Sequence, residues 1–257
     1  MSENVKFDKQ DRIGIITLNR PEAMNAIDDA TAEALRNVFS AAIADSTVNV
    51  IVFTGEGDKA FAAGSDLRKI HESSMVEILD RDIRKLWIEV EQAPKPTIAA
   101  INGYCIGGGL ELALACDIRV ASEKAKFAIS DVNLGFLPGG GAIYRLPKIV
   151  GKGKAKEMIL TANFMNAEEA YRFGLVSAVS KHEEIMDLAL KYADTLAKRA
   201  PLALRIGKLA VDVGYESGVA VSSHFESIAQ ALLCTTEDKQ EGVTAFFEKR
   251  KPEFQGK

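Results

Sequence analysis

The sequence predicts an α/β domain followed by a helical C-terminal third, on three observations. Short β-rich runs alternate with amphipathic helical stretches up to about Gly151. Beyond Gly151 nearly every segment carries helical periodicity. At Ile98 to Glu111 an apolar strand runs into the glycine triplet Gly107-Gly108-Gly109 and then into a helix, a junction typical of α/β folds. With 257 residues, 47% of them hydrophobic, the chain is long enough to bury one large core.

Val5 to Asp8 and Ile13 to Leu18 read as a hairpin around the polar Lys9-Gln10-Asp11-Arg12 turn, and Pro21 ends the extended run. Asp28 is the N-cap expected for a helix from Asp29 to Ala44, whose Leu35, Val38, Phe39 and Ile43 share one face. Val48 to Thr54 is a strand stopped by Gly55-Glu56-Gly57. Met75 to Val90 is a helix ended by Pro94 and Pro96. Thr97 to Asn102 is a strand, the glycine triplet opens a short helix to Ala115, and Asp117 to Ala121 is again a strand. The helices expected after Gly151 cover Lys154 to Thr161, Ala167 to Phe173, Glu183 to Ala200, Pro201 to Val213, Val219 to Leu233 and Asp238 to Phe247. Val176 to Val179 alone is strand-like there.

Composition narrows the function classes. There are 32 Lys and Arg against 36 Asp and Glu, a net charge of −4, and the only compact basic tract is Lys249-Arg250-Lys251, so nucleic acid is not expected as a partner. Cys105, Cys116 and Cys234 form no C-x-x-C pair and no even disulfide framework, which suits a reducing compartment. His71, His182 and His224 lack metal-site spacing, so no metal is expected. The N-terminus has neither an apolar leader region nor an Arg-rich amphipathic pattern, and no run approaches ~18 apolar residues. A soluble, cytoplasmic chain with no membrane partner is expected.

Chemistry concentrates at three places. Gly107 to Gly109 let backbone approach a ligand closely, and the following helix turns free N–H groups and its positive dipole end toward that ligand, with Glu111 one turn in. The alternative for Glu111 is purely structural, an acid near the N3 position closing a capping box. The third glycine of a dinucleotide-binding fingerprint is missing, as is the G-K-[ST] of a phosphate loop. Phe61-Ala62-Ala63-Gly64-Ser65-Asp66 is a second small-residue junction able to offer a backbone N–H, and two donors converging on one oxygen make an oxyanion hole. Its alternative is an ordinary strand-to-helix connection. Lys126 to Gly141 is an apolar run carrying Asp131, twenty residues after Glu111, and closed by Gly139-Gly140-Gly141. A turn cap or a surface acid is the alternative for Asp131.

Asn102-Gly103-x-x-x-Gly107-Gly108-Gly109-x-Glu111-Leu112-Ala113-x-x-Cys116-Asp117 resembles the signature of the enoyl-CoA hydratase/isomerase, or crotonase, superfamily. The resemblance extends through Leu18-Asn19-Arg20-Pro21, Asn25-Ala26, Phe61 to Leu67, Leu134-Gly135-x-x-Pro138-Gly139, Arg145-Leu146, Ala170-x-x-x-Gly174-Leu175-Val176 and Glu241-Gly242-x-x-Ala245-Phe246-x-Glu248-Lys249-Arg250. It implies a crotonase-like spiral of repeated ββα units over residues 1–195 that binds acyl-CoA. Residues 196–257 would be a helical extension for oligomerisation, into a trimer or a dimer of trimers, and a lid over the CoA.

By motif position the resemblance makes the N–H groups of Ser65 and Gly108 the oxyanion hole for the thioester, and Glu111 and Asp131 the acid pair that holds the water added to a 2-enoyl-CoA. It places CoA against Met24, Ala26, Ala62, Ala63, Ser65, Asp66, Leu67, Gly108 and Gly139, with Lys249 approaching the phosphates. Arg68 to Glu91, including Met75, Ile78, Leu79 and Trp87, would line the acyl pocket together with Tyr144; ordinary helix packing is the alternative for any one residue of that segment. No cofactor is implied, coenzyme A being part of the substrate. Three departures bear on the acyl group: Ser130-Asp131 stands where hydratases usually carry Pro-Glu, shortening the reach by ~1.5 Å; Gly141-Ala142-Ile143-Tyr144 replaces the common Gly-Gly-Thr-Gln; and Ser65 replaces Ala. The expected activity is enoyl-CoA hydration in either direction. Δ3,Δ2-enoyl-CoA isomerisation, thioester hydrolysis and a non-catalytic CoA- or RNA-binding scaffold are the alternatives; the intact acid pair favours hydration, and the acidic net charge disfavours the scaffold.

Overall fold

The opening hairpin forms as expected, β1 (Val5–Gln10) pairing antiparallel with β2 (Ile13–Leu18). The computed structural model describes residues 3–64, 71, 73–79 and 82–257. Helix α1 spans Asp29–Ala44, and the Asp28 carboxylate caps it by accepting from the Thr31 N–H at 2.8 Å. Leu35 and Phe39 are buried along its inner face, with Val38 and Ile43 packed half-buried beside them.

β3 (Val50–Gly55) begins two residues later than the sequence pattern predicts and leads to β4 (Ala60–Ala63). The expected Met75 to Val90 helix is described as α2 (Met75–Leu79) and α3 (Asp82–Glu91). Then follow β5 (Thr97–Ile101), β6 (Tyr104–Ile106), α4 (Gly108–Ala115), β7 (Ile118–Ser122) and β8 (Lys126–Ala128). The rest comprises α5 (Ala142–Val150), α6 (Lys152–Thr161), β9 (Met165–Asn166), α7 (Ala167–Arg172), β10 (Ala178–Ser180), α8 (Ile185–Ala197), α9 (Pro201–Glu216), α10 (Val219–Cys234) and α11 (Glu237–Glu248).

Two sheets organise these elements, with strand orders β1-β2-β3-β5-β7-β10 and β4-β6-β8-β9. All neighbours are parallel except β1 with β2 and β8 with β9. The larger sheet is covered on both faces, which is why Val50-Ile51-Val52-Phe53 is apolar without alternation. Ile51, Phe53, Ala99 and Ile101 face the main core against α4 and the small sheet. Val50, Val52, Ile98 and Ala100 face α8, whose Ile185, Ala189 and Ala193 lie four residues apart and so share one stripe. The expected division at 195/196 falls just before the end of this helix.

The small sheet was absent from the sequence-based expectation. Its strands have two to four residues, too few for alternation to register. The chain passes from one sheet to the other at Asn102-Gly103. A Cβ on Gly103 would lie 2.1 Å from the Lys59 carbonyl oxygen, so only glycine permits the crossing. The Asn102 Nδ2 donates to the Gly55 and Gly57 carbonyls, and the buried Asn25 Nδ2 to those of Glu56 and Ala60, which satisfies the matching corner between β3 and β4.

Helices α9 and α10 contain no buried residue, and Leu209, Val211, Tyr215, Val219, Ile228 and Leu232 stand exposed on them. An ion pair of 2.9 Å between Lys208 and Asp117 ties α9 to the core. Cys105 and Cys116 are buried as small apolar residues, whereas Cys234 is exposed. Among the described residues no helix is long and apolar enough to cross a membrane.

Candidate active site

Gly107 takes φ 50° and ψ −120°, a turn that glycine tolerates, and caps α4. Its N–H donates to the Ala128 carbonyl at 3.0 Å, and its carbonyl accepts from the Glu111 N–H at 2.9 Å. The capping-box alternative for Glu111 is therefore overturned. Glu111 is the fourth helical residue rather than the third, and the cap N–H already has a partner. Instead the Glu111 side chain crosses to the loop before α5, where its Oε1 accepts from the Gly140 N–H at 2.7 Å and the Ala142 N–H at 3.2 Å. Its Oε2 accepts no hydrogen bond from the described residues.

A cavity of about 440 Å³ opens beside this carboxylate. Ala63 and Gly64 from the end of β4 border it on one side, and Gly107 and Gly108 on the other. These junctions are in contact: a Cβ on Gly107 would stand 3.7 Å from the Gly64 Cα. Gly108 begins α4, so its N–H has no intrahelical acceptor. Asp131 enters from a 3₁₀ turn, Asp131–Leu134, and its Oδ2 is buried without a hydrogen-bond partner among the described residues. It is neither a helix cap nor a surface acid. The same oxygen would lie 3.8 Å from a Cβ on Gly107, which places the second carboxylate beside the helix start.

Burial pushes the Glu111 carboxyl above its ordinary range; the N–H groups of Ala142 and Gly140 oppose this, the neighbouring Asp131 charge adds to it, and Arg145 opposes it. Burial likewise raises Asp131, against its own backbone N–H. A carboxyl raised on folding holds its proton more tightly in the folded state. Stability is therefore lost as the pH climbs from the unfolded value toward the folded one. Asp131→Asn is accordingly expected to melt higher than the wild type at pH 7, with the advantage vanishing below about pH 3.8, the ordinary Asp value. Thermal melts across pH 3 to 8 read this directly, and a constant difference across that range would refute it.

The loop that holds Glu111 is itself clamped. Arg145, 3% exposed, donates from Nη1 to the Gly140 carbonyl at 2.8 Å and pairs through Nε and Nη2 with both oxygens of Glu91, at 2.9 and 2.7 Å. Gly141 takes φ 115°, and a Cβ on Gly140 would come within 2.4 Å of the Glu111 Oε2 and 2.7 Å of the Trp87 Cδ1. Arg145 appeared in the sequence only as part of a motif. Its partner stands 54 positions away, and no local signal joins them.

Of the expected acyl-pocket residues, the structure brings Ile78 to the cavity. Trp87 is fully buried in the core behind Glu111, Met75 is 77% exposed, and Tyr144 is 43% exposed with its ring against the Arg145 guanidinium. None of these three lines the cavity. The side chain of Leu79 lies outside the described residues. Ile83, Arg84, Ile106, Phe136 and Leu137 line the cavity and were not foreseen; Ile83 and Arg84 lie within the segment expected to border it.

Of the expected CoA contacts, Ala63 and Gly139 line the cavity together with Gly108. Met24 adjoins it through its carbonyl, which accepts from the Ala63 N–H at 3.0 Å. The Ala26 carbonyl accepts from Arg20, and Ala62 is buried beneath Gly109. Lys249 ends α11 in a left-handed conformation, exposed and away from the described cavity lining. Ser65, Asp66 and Leu67 lie outside the described residues. Among the described residues no three His, Cys, Asp or Glu side chains are grouped to hold a metal ion.

Two carboxyls raised by burial beside the open end of a helix, in a cavity walled by glycine backbone and apolar side chains, give this α/β protein a site fitted to acid–base chemistry. The chain belongs to the enoyl-CoA hydratase/isomerase family, whose model matches residues 8–257. It is 38% identical over 254 residues to a crotonyl-CoA hydratase of Syntrophomonas wolfei, covering 98% of each chain. It is 39% identical over 257 residues to a 2,3-dehydroadipyl-CoA hydratase of Escherichia coli, covering 100% of each. Its fold is the crotonase fold: an enoyl-CoA hydratase from Bacillus anthracis superimposes with a TM-score of 0.95 at 35% identity, over 99% of this chain and 100% of that one.

Proposed function

We propose that the chain adds water across the 2,3 double bond of an enoyl-CoA thioester, and removes it from a 3-hydroxyacyl-CoA in reverse. It is an enoyl-CoA hydratase. The observation that carries this reading is the pair Glu111 and Asp131, both elevated by burial and both lining one cavity at the start of α4.

In this mechanism the thioester oxygen accepts from the N–H of Gly108, with Ser65 as the second donor, so charge that develops on that oxygen is stabilised as the double bond is polarised. A water held between the carboxyl groups attacks C3. One carboxylate takes a proton from that water, and a proton passes to C2 as the enolate collapses back to the thioester. The acids act as a coupled pair. Isomerisation of a double bond is served by one acid, so the second acid favours hydration.

CoA lies against the backbone of Met24, Ala26, Ala63, Asp66 and Leu67, with Ala62 supporting Gly109 from beneath and Lys249 toward the phosphates, and no cofactor is needed. The apolar residues exposed on α9 and α10 support a homo-trimer or a dimer of trimers that covers them. The enzyme works in the cytoplasm.

Loss of the conjugated thioester absorbance in water tests the activity, across straight, branched and cyclic 2-enoyl-CoAs. Hydration of at least one class is expected, and none at all would refute the reading. Sedimentation of the same preparation is expected to give three or six chains, and a monomer would refute the assembly.

A further inference from the structure

The cavity beside the acid pair is apolar along Ile78, Ile83, Ile106, Leu134, Phe136 and Leu137, yet a cation also lines it. Arg84, on α3, is the only Lys or Arg that borders it among the described residues. Its Nε donates to the Gly139 carbonyl at 2.9 Å. It makes no ion pair with a carboxylate of the described residues, which sets it apart from Arg145 with its two bonds to Glu91.

A guanidinium held through Nε keeps its two terminal nitrogens as a planar fork, the shape that receives both oxygens of a carboxylate. The position of this fork is tied to the chemistry by one peptide group. The oxygen of the Gly139–Gly140 peptide accepts from Arg84, and the N–H of the same peptide donates to the Glu111 Oε1 at 2.7 Å. The Arg84 Nε and the Glu111 Oε1 are therefore no more than about 8 Å apart, from the two bond lengths and the width of a peptide.

That distance selects among anionic ligands. The phosphates of CoA are separated from the thioester by the whole pantetheine arm, too far from the reacting carbons to meet a group this close to Glu111. An anion on the far end of the acyl chain is at the right range. With about 1.5 Å per bond, a carboxylate two to four carbons beyond C3 reaches the fork while its methylenes lie on the apolar wall.

We infer that Arg84 is a specificity residue that receives the terminal carboxylate of a short dicarboxylic enoyl-CoA, such as hex-2-enedioyl-CoA. This rests on the hydratase reading of the site.

The test compares kcat/KM for hex-2-enedioyl-CoA and hex-2-enoyl-CoA in the full-length wild type, in Arg84→Met and in Arg84→Glu. The wild type is expected to prefer the diacid thioester by about tenfold or more, the scale of a hydrogen-bonded charge pair. The preference is expected to fall by about tenfold in Arg84→Met and further in Arg84→Glu, chiefly through KM for the diacid. Each ratio is taken within one variant, so a general loss caused by freeing the Gly139 carbonyl cancels. Hydration of the hexenoyl thioester with no preference for the diacid, or a ratio unmoved in both variants, overturns the assignment of Arg84 alone. A wild type that hydrates neither thioester overturns the hydratase reading, and this assignment with it.

Discussion

Glu111→Gln is expected to lower kcat for hydration by about 10³-fold, within the 10²–10⁴-fold range of a positioned acid or base, while the protein remains folded. The substitution isolates chemistry from structure because of how the side chain is held. The Glu111 Oε1 accepts from Gly140 and Ala142, and a glutamine carbonyl accepts the same two bonds in nearly the same volume. What disappears is the second oxygen, which is left free of hydrogen bonds from the described residues, and the ability to take or return a proton. The charge removed is one that burial already disfavours, so the variant is expected to melt no lower than the wild type at pH 7. Steady-state hydration assays with a thermal melt on the same sample check both halves. A kcat within tenfold of the wild type would place the essential proton transfer elsewhere.

Gly109→Ala is expected to destabilise the fold by about 3 kcal/mol, at the upper end of ordinary overpacking, and to reduce activity with it. A Cβ at this position would stand 2.2 Å from the Ala62 carbonyl oxygen and 2.7 Å from the Ala62 Cβ. Neither obstacle is a flexible side chain that can swing aside; both belong to the backbone and stub of β4. Relief requires α4 to move away from the strand, which carries Gly108 away from Ala63 and Gly64 across the cavity. At roughly 2–4 °C per kcal/mol for a domain of this size, the melting temperature falls by about 6–12 °C. Gly153→Ala in α6 is the control, since an added Cβ there meets nothing within 4 Å. That change is expected to stabilise by up to about 1 kcal/mol through helix propensity. Gly109→Ala melting within two degrees of the wild type would show that α4 accommodates the methyl and would break the argued link between helix position and site.

Features governed by neighbours a few residues apart were legible in the chain. Asp28 caps α1 because a capping bond spans only three positions, and the hairpin of β1 and β2 follows from alternating runs around a short polar turn. The family signature at Asn102 to Asp117 led to the family and to Glu111, and its second region led to Asp131. The same signature did not reveal why Asn25, Asn102 and Gly103 are there. They serve corners between two sheets, one of which has strands too short to read. Trp87 and Ile78 looked alike as apolar helical positions, yet one is core and the other cavity wall. Periodicity reports that a side chain is turned inward, not what it meets.

By itself, then, the sequence determined the α/β class, the helical C-terminal third, the family, and the two acids with the glycine-framed helix start beside them. Each is written in local periodicity or in motif spacing. Only the tertiary structure decided that Glu111 is held by Gly140 and Ala142 rather than by its own helix cap, that Arg145 and Glu91 clamp that loop, and that Arg84 alone brings a cation to the described cavity wall. The physical reason is that a buried carboxyl takes its character from whatever desolvates it and donates to it. In this chain the donors to Glu111 arrive from 29 and 31 residues away, on a loop clamped by a pair 54 residues apart, brought together by the packing of two sheets that no local pattern records.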